Sequence, residues 1–359
     1  MSFPVERREL VVVGAGPAGM TAAAEASRYG MDVLMIEESG SCGGQLNKQI
    51  HKFFGSKEHG AGKRGFEISR ELEEACRCGG VEIRCGSPVV GAFSDGRLLV
   101  RGTDGPYLLE PRMLISATGA AEKALAFHGW TLPGVMGAGA AQTLMNLNGV
   151  RPGKRVAMVG SGNVGLIVAY QMIQAGVEVS AVVEIGPSVG GYEVHLNRLK
   201  TLGVPILLRH KVIRAEGSGR VEALVVRDEE KGVAKRLEVD CVCLAVGMKP
   251  VIEIPQMLGC GMAFQPELGG WLPRHGRMMD TTKKGVWVAG DGAGVEEASV
   301  AMEEGRLAAV ATAMESGKLR GKKAAAVVAG IELRLSGLRA GTYNCRRRQA
   351  KMKLLETAT

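Results

Sequence analysis

The chain has 359 residues, 46% of them apolar and 23% charged, with 52 glycines and a net charge of +8, a length that predicts two domains and a composition ordinary for a globular protein. Aromatic residues make up only 4% and no base-stacking module is visible, so the basic balance is not read as nucleic-acid binding. No run is long and apolar enough for a membrane span, and the opening MSFPVERREL lacks the apolar core of a leader, which predicts a cytoplasmic protein with free thiols.

The first element is an apolar strand, Leu10 to Val13, that runs into GAGPAG. Alanine-rich sequence continues as a helix to Tyr29, and a second strand, MDVLMIEE, ends in acid. Strand, glycine turn, helix, strand and acid in this order fit a dinucleotide. Gly14 permits the turn, Gly16 lets the backbone approach a pyrophosphate, and Gly19 lets the helix lie close to the strand, with Pro17 and Ala18 inside the same motif. Glu37 is placed to accept hydrogen bonds from a ribose. A loop follows, SCGGQLNKQ from residue 41, and then Cys76 and Cys78, with one residue between them. That spacing, repeated at Cys241 and Cys243, reads as buried or half-exposed strand thiols and not as a metal site.

The segment RMLISATG brings a late strand to Thr118 and Gly119. The whole pattern then returns at RVAMVGSGNVG, where Gly160, Gly162 and Gly165 precede a helical stretch to Ala175 and the strand VEVSAVVE closes on Glu184. CVCLAVG carries Gly247 to the place that Gly119 holds in the first copy. Two fingerprints predict two bound dinucleotides. A carboxylate at that strand end accepts from a 2'-hydroxyl and repels a 2'-phosphate, so Glu184 predicts NAD(H). Next, GVWVAGDGAGVEEASV delivers Gly290 and Asp291. Asp291 suits a sugar-like hydroxyl, and the helix start beyond it offers free N–H groups to an electron-rich ring. Past Gly317, alternating basic and apolar positions ending in RRRQAKMKLLE predict a helix, either a solvated basic helix or, in a subunit with partners, a docking arm that buries its apolar side against another chain.

The predicted fold is α/β: two Rossmann-like dinucleotide-binding domains, one inserted into the other, plus a helical basic C-terminal tail. The predicted spans are 1–124 and 251–316 for the outer domain, 125–250 for the inserted one and 317–359 for the tail. Together these motifs resemble the two-dinucleotide-binding flavoproteins of the pyridine-nucleotide-disulfide oxidoreductase type, over roughly residues 8 to 315. The resemblance implies FAD bound by Gly14, Gly16, Pro17, Ala18, Gly19, Glu37, Gly44, Gln45, Thr118, Gly119, Gly290 and Asp291. It implies NAD(H) along Gly160, Gly162, Gly165, Glu184 and Gly247. The run Gly43-Gly44-Gln45-Leu46 is similar to one that passes along the flavin in the thioredoxin-reductase branch.

The family's disulfide relays have no match at their usual places. Leu46 and His51 stand where one branch carries a CxxxxC pair, and Phe127 to Arg155, where the other carries CxxC, has no cysteine. Cys42 lies before the double glycine, on the wrong side of the loop. GWTLPGVMGAGAAQTLMN, GVEEASVAMEEGRLAA and the basic tail are similar to the alpha subunits of opine oxidase, hydrogen cyanide synthase, dye-linked proline dehydrogenase and sarcosine oxidase. That likeness implies a substrate-oxidising flavoprotein beta subunit as partner. Only Cys345 follows residue 260, so an iron-sulfur cluster, which needs about four thiolates, would sit on a separate protein. The expected function is hydride transfer between NAD(H) and FAD in the electron-transfer subunit of an amine or amino-acid dehydrogenase, with no catalytic acid-base side chain and no metal. The alternatives are a self-contained NADH-dependent reductase of a small redox protein, or a non-enzymatic scaffold subunit that holds FAD.

Overall fold

The computed structural model describes residues 3–53, 56–341 and 345–356. It divides into two compact units, one formed by Met1–Ala121 with Lys249–Thr359 and the other by Glu122–Met248, so the second is inserted into the first.

The outer unit is built on a sheet whose parallel strands run in the order Glu82–Arg84, Val33–Ile36, Val5–Val13, Gly105–Ser116 and Val286–Val288. The long strand Gly105–Ser116 serves two partners on one edge. Its first half pairs antiparallel with Leu98–Gly102, which continues to Val89–Ala92, and its second half pairs parallel with Val286–Val288. In strand Val5–Val13, Leu10 and Val12 enter one core, while Val11 and Val13 enter the other. Both sheet faces are covered, so the strands are continuously apolar instead of alternating.

The first core lies under helices Pro17–Arg28, Gly65–Cys78, Ala298–Glu315 and Gly321–Leu338. The last of these is the basic arm, one of whose two predicted roles is docking on another chain. In the structure Ala324, Ile331 and Leu335 are buried in this unit's own core, with Val327, Val328 and Leu338 packed beside them. Their three-to-four-residue spacing makes one helical stripe, and the chain itself covers it.

The inserted unit repeats the plan. Its parallel sheet runs Ile206–Leu207, Glu178–Val183, Arg155–Val159, Cys241–Leu244 and Val135–Gly137, with a three-stranded antiparallel sheet of His210–Glu216, Ala223–Asp228 and Ala234–Glu238. Cys241 and Cys243 face the same core as Val156 and Met158, while Val242 and Leu244 face the other. The 3.7 Å between the two sulfurs follows from residues i and i+2 sharing one face of a strand. Among the described residues no group of three or more histidine, cysteine, aspartate or glutamate side chains could hold a metal, and no helix is long and apolar enough to cross a membrane.

Candidate functional site

In the outer unit the chain turns sharply after Val13 and starts a helix at Pro17, with Gly16 as N-cap. Gly14 has φ +101°, open to glycine and strained for other residues. A side chain on Gly19 would overlap the Gly14 carbonyl oxygen and meet its carbonyl carbon at 2.9 Å. Gly14 and Gly19 are therefore required by the protein's own packing. Gly16 is not. Its backbone is ordinary (φ −77°, ψ −173°), and a Cβ built there would meet nothing within 4 Å. No clash and no positive φ demands glycine at 16; beyond its modest value as an N-cap, its bare backbone leaves room for close approach by something that is not protein.

The inserted unit reproduces this in detail. Gly160 has φ +102°, a side chain on Gly165 would collide with the Gly160 carbonyl, and Gly162 (φ −67°, ψ 175°) faces open space. The strand-end acids match as well. Glu37, 7% exposed, accepts from the Ala15 N–H at 2.8 Å and the Ser39 N–H at 2.8 Å. Glu184 accepts from the Ser161 N–H at 3.0 Å, the Ser161 hydroxyl at 2.6 Å and the Gly186 N–H at 2.7 Å. Each acid thus locks its own glycine turn while keeping acceptor capacity, since two carboxylate oxygens offer about four lone-pair directions.

A third correspondence was not anticipated from the sequence. Six residues after Glu37 stands Gly43, whose N–H donates to the Ala15 carbonyl at 2.7 Å, and Gly44 follows so close to Gly16 that a Cβ would lie 3.1 Å from its Cα. Six and seven residues after Glu184 stand Gly190 and Gly191; the Gly191 N–H donates to the Ser161 carbonyl at 2.9 Å and the Gly190 N–H to the Ser161 hydroxyl at 3.2 Å. Each unit therefore closes its turn with a lip of the form Ser-x-Gly-Gly, Ser41 to Gly44 and Ser188 to Gly191. The repeat was visible in the sequence as SCGG and SVGG at one distance from the acid.

This lip decides the reading of Cys42. The cysteine occupies the place of Val189, is 4% exposed and belongs to the hydrophobic core. Burial, reinforced by the neighbouring Cys85 thiol, pushes its pKa up to about 12. Cys85, 43 residues away in sequence, lies 3.8 Å from it, a neighbour that the sequence did not reveal. All eight cysteines are unbridged.

Three separated segments converge on the outer unit's turn. A side chain on Gly290 would meet the Ala18 Cβ at 2.7 Å, and one on Gly292 would meet the Thr118 hydroxyl at 3.3 Å. Thr118 donates to the Val251 carbonyl at 2.7 Å, and Gly119 (φ +73°) fronts open space. Gly44 and Gln45 are exposed at the lip. Asp291 accepts from the Glu296 N–H at 3.2 Å. Burial, together with the nearby acids Glu304 and Glu296, pushes its pKa up to about 7, so this carboxyl has few donors from the protein. In the inserted unit, Gly247 (φ +114°) accepts from the Lys123 N–H at 3.0 Å.

A parallel sheet with a glycine turn at the end of its first strand, an acid at the end of its second, and a copy of both in an inserted unit defines a two-dinucleotide-binding oxidoreductase. Residues 8–305 match the family described as pyridine nucleotide-disulphide oxidoreductase, and the chain belongs to it. It is thereby an FAD- and NAD(P)H-using oxidoreductase. It is similar to the A subunit of opine oxidase from Rhizobium meliloti (strain 1021), with 29% identity over 84% of this chain and 70% of that protein. It is also similar to the HcnB subunit of hydrogen cyanide synthase from Pseudomonas aeruginosa, with 28% identity over 91% of this chain and 74% of that one. The fold is that of L-proline dehydrogenase from P. horikoshii, at a TM-score of 0.71 and 22% identity. That match covers 94% of this chain, which spans 60% of the dehydrogenase chain.

Proposed function

We propose that this chain is the electron-transfer subunit of an amine or amino-acid dehydrogenase, holding FAD on the outer unit and NAD(H) on the inserted one. The observation that carries the two-cofactor reading is the pair Gly16 and Gly162, each a helix N-cap whose bare backbone faces open space that no protein atom fills. When bound, the two cofactors supply the hydride chemistry, and the protein's share is orientation and electrostatics. On the outer unit, the Gly14–Gly19 turn and the helix start at Pro17 present N–H groups to a pyrophosphate. Glu37 receives a ribose, and Asp291 takes a hydroxyl donor that relieves its half-buried carboxyl. On the inserted unit, Gly160, Gly162 and Gly165 hold the second pyrophosphate. Glu184, already fixed by three donors, accepts a 2'-hydroxyl, which favours NAD(H).

Support for the subunit assignment comes from relatives that are themselves named as subunits and from the placement of Cys42 as a packed thiol. Electrons from a partner, a flavoprotein subunit that oxidises the substrate, then pass through this chain's flavin to NAD, or run the reverse way from NADH, with any iron-sulfur centre on a further protein. Eight unbridged cysteines fit a reducing compartment such as the cytoplasm.

The test is anaerobic addition of NADH to the purified, FAD-loaded chain, followed by the flavin absorbance, with and without the candidate partner flavoprotein. Bleaching by NADH and reoxidation that needs the partner are expected. Vigorous turnover of a small redox protein by the isolated chain would replace the subunit reading, and an unbleached flavin would remove the hydride site.

A further inference from the structure

Among the described residues Lys351 is the only buried lysine or arginine, at 2% exposure. It sits on the last helix, Cys345–Glu356, whose Ala350 and Leu354 pack on Leu268 and Leu272 of the outer unit. An ammonium placed so deep requires strong partners, and it has two. Its Nζ donates to the Ala293 carbonyl at 2.9 Å and pairs with Glu304 Oε1 at 2.8 Å.

Both partners belong to the segment that carries Gly290 and Asp291. Glu304, 1% exposed, accepts the Gly290 N–H on its other oxygen at 3.1 Å. A second tail cation converges on the same place: Arg339 reaches Glu304 at 2.6 Å and forks onto Glu296 at 2.9 and 2.6 Å. Glu296 in turn gives its N–H to Asp291. Two cations from beyond Gly317 thus hold both carboxylates flanking Asp291 and both ends of the Gly290–Ala293 turn.

A brace needed only for folding gains little from this chemistry, because a buried ion pair is often matched or bettered by apolar packing of the same volume. What apolar packing could not supply is a charge-compensated carboxylate fixed on the Gly290 N–H of a turn that meets a ligand. We propose that Lys351, assisted by Arg339, is a positioning residue of the flavin site: it sets the Gly290–Ala293 turn in its ligand-ready form and neutralises the Glu304 carboxylate held on the Gly290 N–H. The C-terminal helix thereby governs how tightly FAD is retained and how readily it is reduced. This rests on the assignment of FAD to the outer unit.

The experiment uses full-length wild type and Lys351→Met, prepared as apoprotein and titrated with FAD by fluorescence quenching. Midpoint potentials follow from dye-equilibrated reduction of the loaded proteins. The expected result is at least a tenfold higher FAD Kd for Lys351→Met and a more negative midpoint potential. Should the single variant fail to fold, Lys351→Met/Glu304→Gln removes the buried pair together and carries the same affinity expectation. A variant that melts lower but keeps the wild-type Kd and potential would make the helix a purely structural element and overturn the inference. If wild type itself takes up no FAD, the flavin assignment falls and the inference with it, an outcome distinct from a wild type that binds and a variant that binds equally.

Discussion

Gly16→Ala and Gly19→Ala insert the same methyl three residues apart and separate the two tasks of the first glycine turn. At position 19 the new carbon overlaps the Gly14 carbonyl oxygen and lies 2.9 Å from its carbon and 3.3 Å from the Ala117 Cβ, where an attractive carbon pair needs about 3.5–4.0 Å. Gly14 cannot retreat easily, because its φ is +101° and its N–H is held by the Ile36 carbonyl at 2.8 Å. Overpacking against fixed backbone costs about 3 kcal/mol, which in a unit of this size lowers Tm by roughly 6–12 °C. At position 16 the methyl enters empty space at an ordinary backbone conformation. Losing glycine at an N-cap costs about 0.5–1 kcal/mol, and the stiffer unfolded chain returns about 0.4–1 kcal/mol, so the apoprotein melts within about 3 °C of wild type. That empty space is where a pyrophosphate would lie, so the same methyl weakens FAD by about 10- to 100-fold. Thermal melts of the apoproteins and FAD titration of each variant measure both effects. A Gly16→Ala protein that binds FAD like wild type, or melts as low as Gly19→Ala, refutes the division of roles.

Three further outcomes follow from the site. Because Asp291 has its pKa raised to about 7, its stabilising contribution to the apoprotein is complete below about pH 4 and is lost as pH rises through 7, by up to about 4 kcal/mol. Asp291→Asn should flatten that decline in urea unfolding measured across pH while weakening FAD; an unchanged pH profile would show that the carboxyl is not perturbed. Glu184→Gln should narrow the preference for NADH over NADPH at least tenfold, read as the ratio of Kd values, and an unaltered ratio would put the discrimination elsewhere. Cys42→Val copies the residue at the equivalent place in the inserted unit and should keep flavin binding and turnover, while wild-type Cys42 resists alkylation at pH 8 and exposed Cys78 reacts; loss of turnover in Cys42→Val would restore a redox role to that thiol.

The glycine turns, strand-end acids and late Gly290-Asp291 motif were legible because each is a local pattern, with strand, turn and helix contiguous in the chain. Residues brought together by folding were not. Nothing in the sequence connects Cys85 to Cys42, or Lys351 to Glu304, since those contacts depend on how the chain crosses the sheet. The basic tail shows the limit of composition. Its alternation of charge and apolar residues correctly indicated a helix with one apolar side, yet only packing reveals that Ile331 and Leu335 find their cover in the same unit. The repeated lip was legible but overlooked, because Ser-x-Gly-Gly is short and gains meaning only when its distance from each acid is compared.

That lip also shows what a closing loop can vary. The two units share the turn, the acid and the lip at one spacing, yet the N–H that closes the lip comes from Gly43 in one unit and from Gly191, one place later, in the other. Position 42 in one unit and 189 in the other hold different compact apolar side chains at the same place in the lip, so the cysteine that invites a redox interpretation is one filling of a packing position.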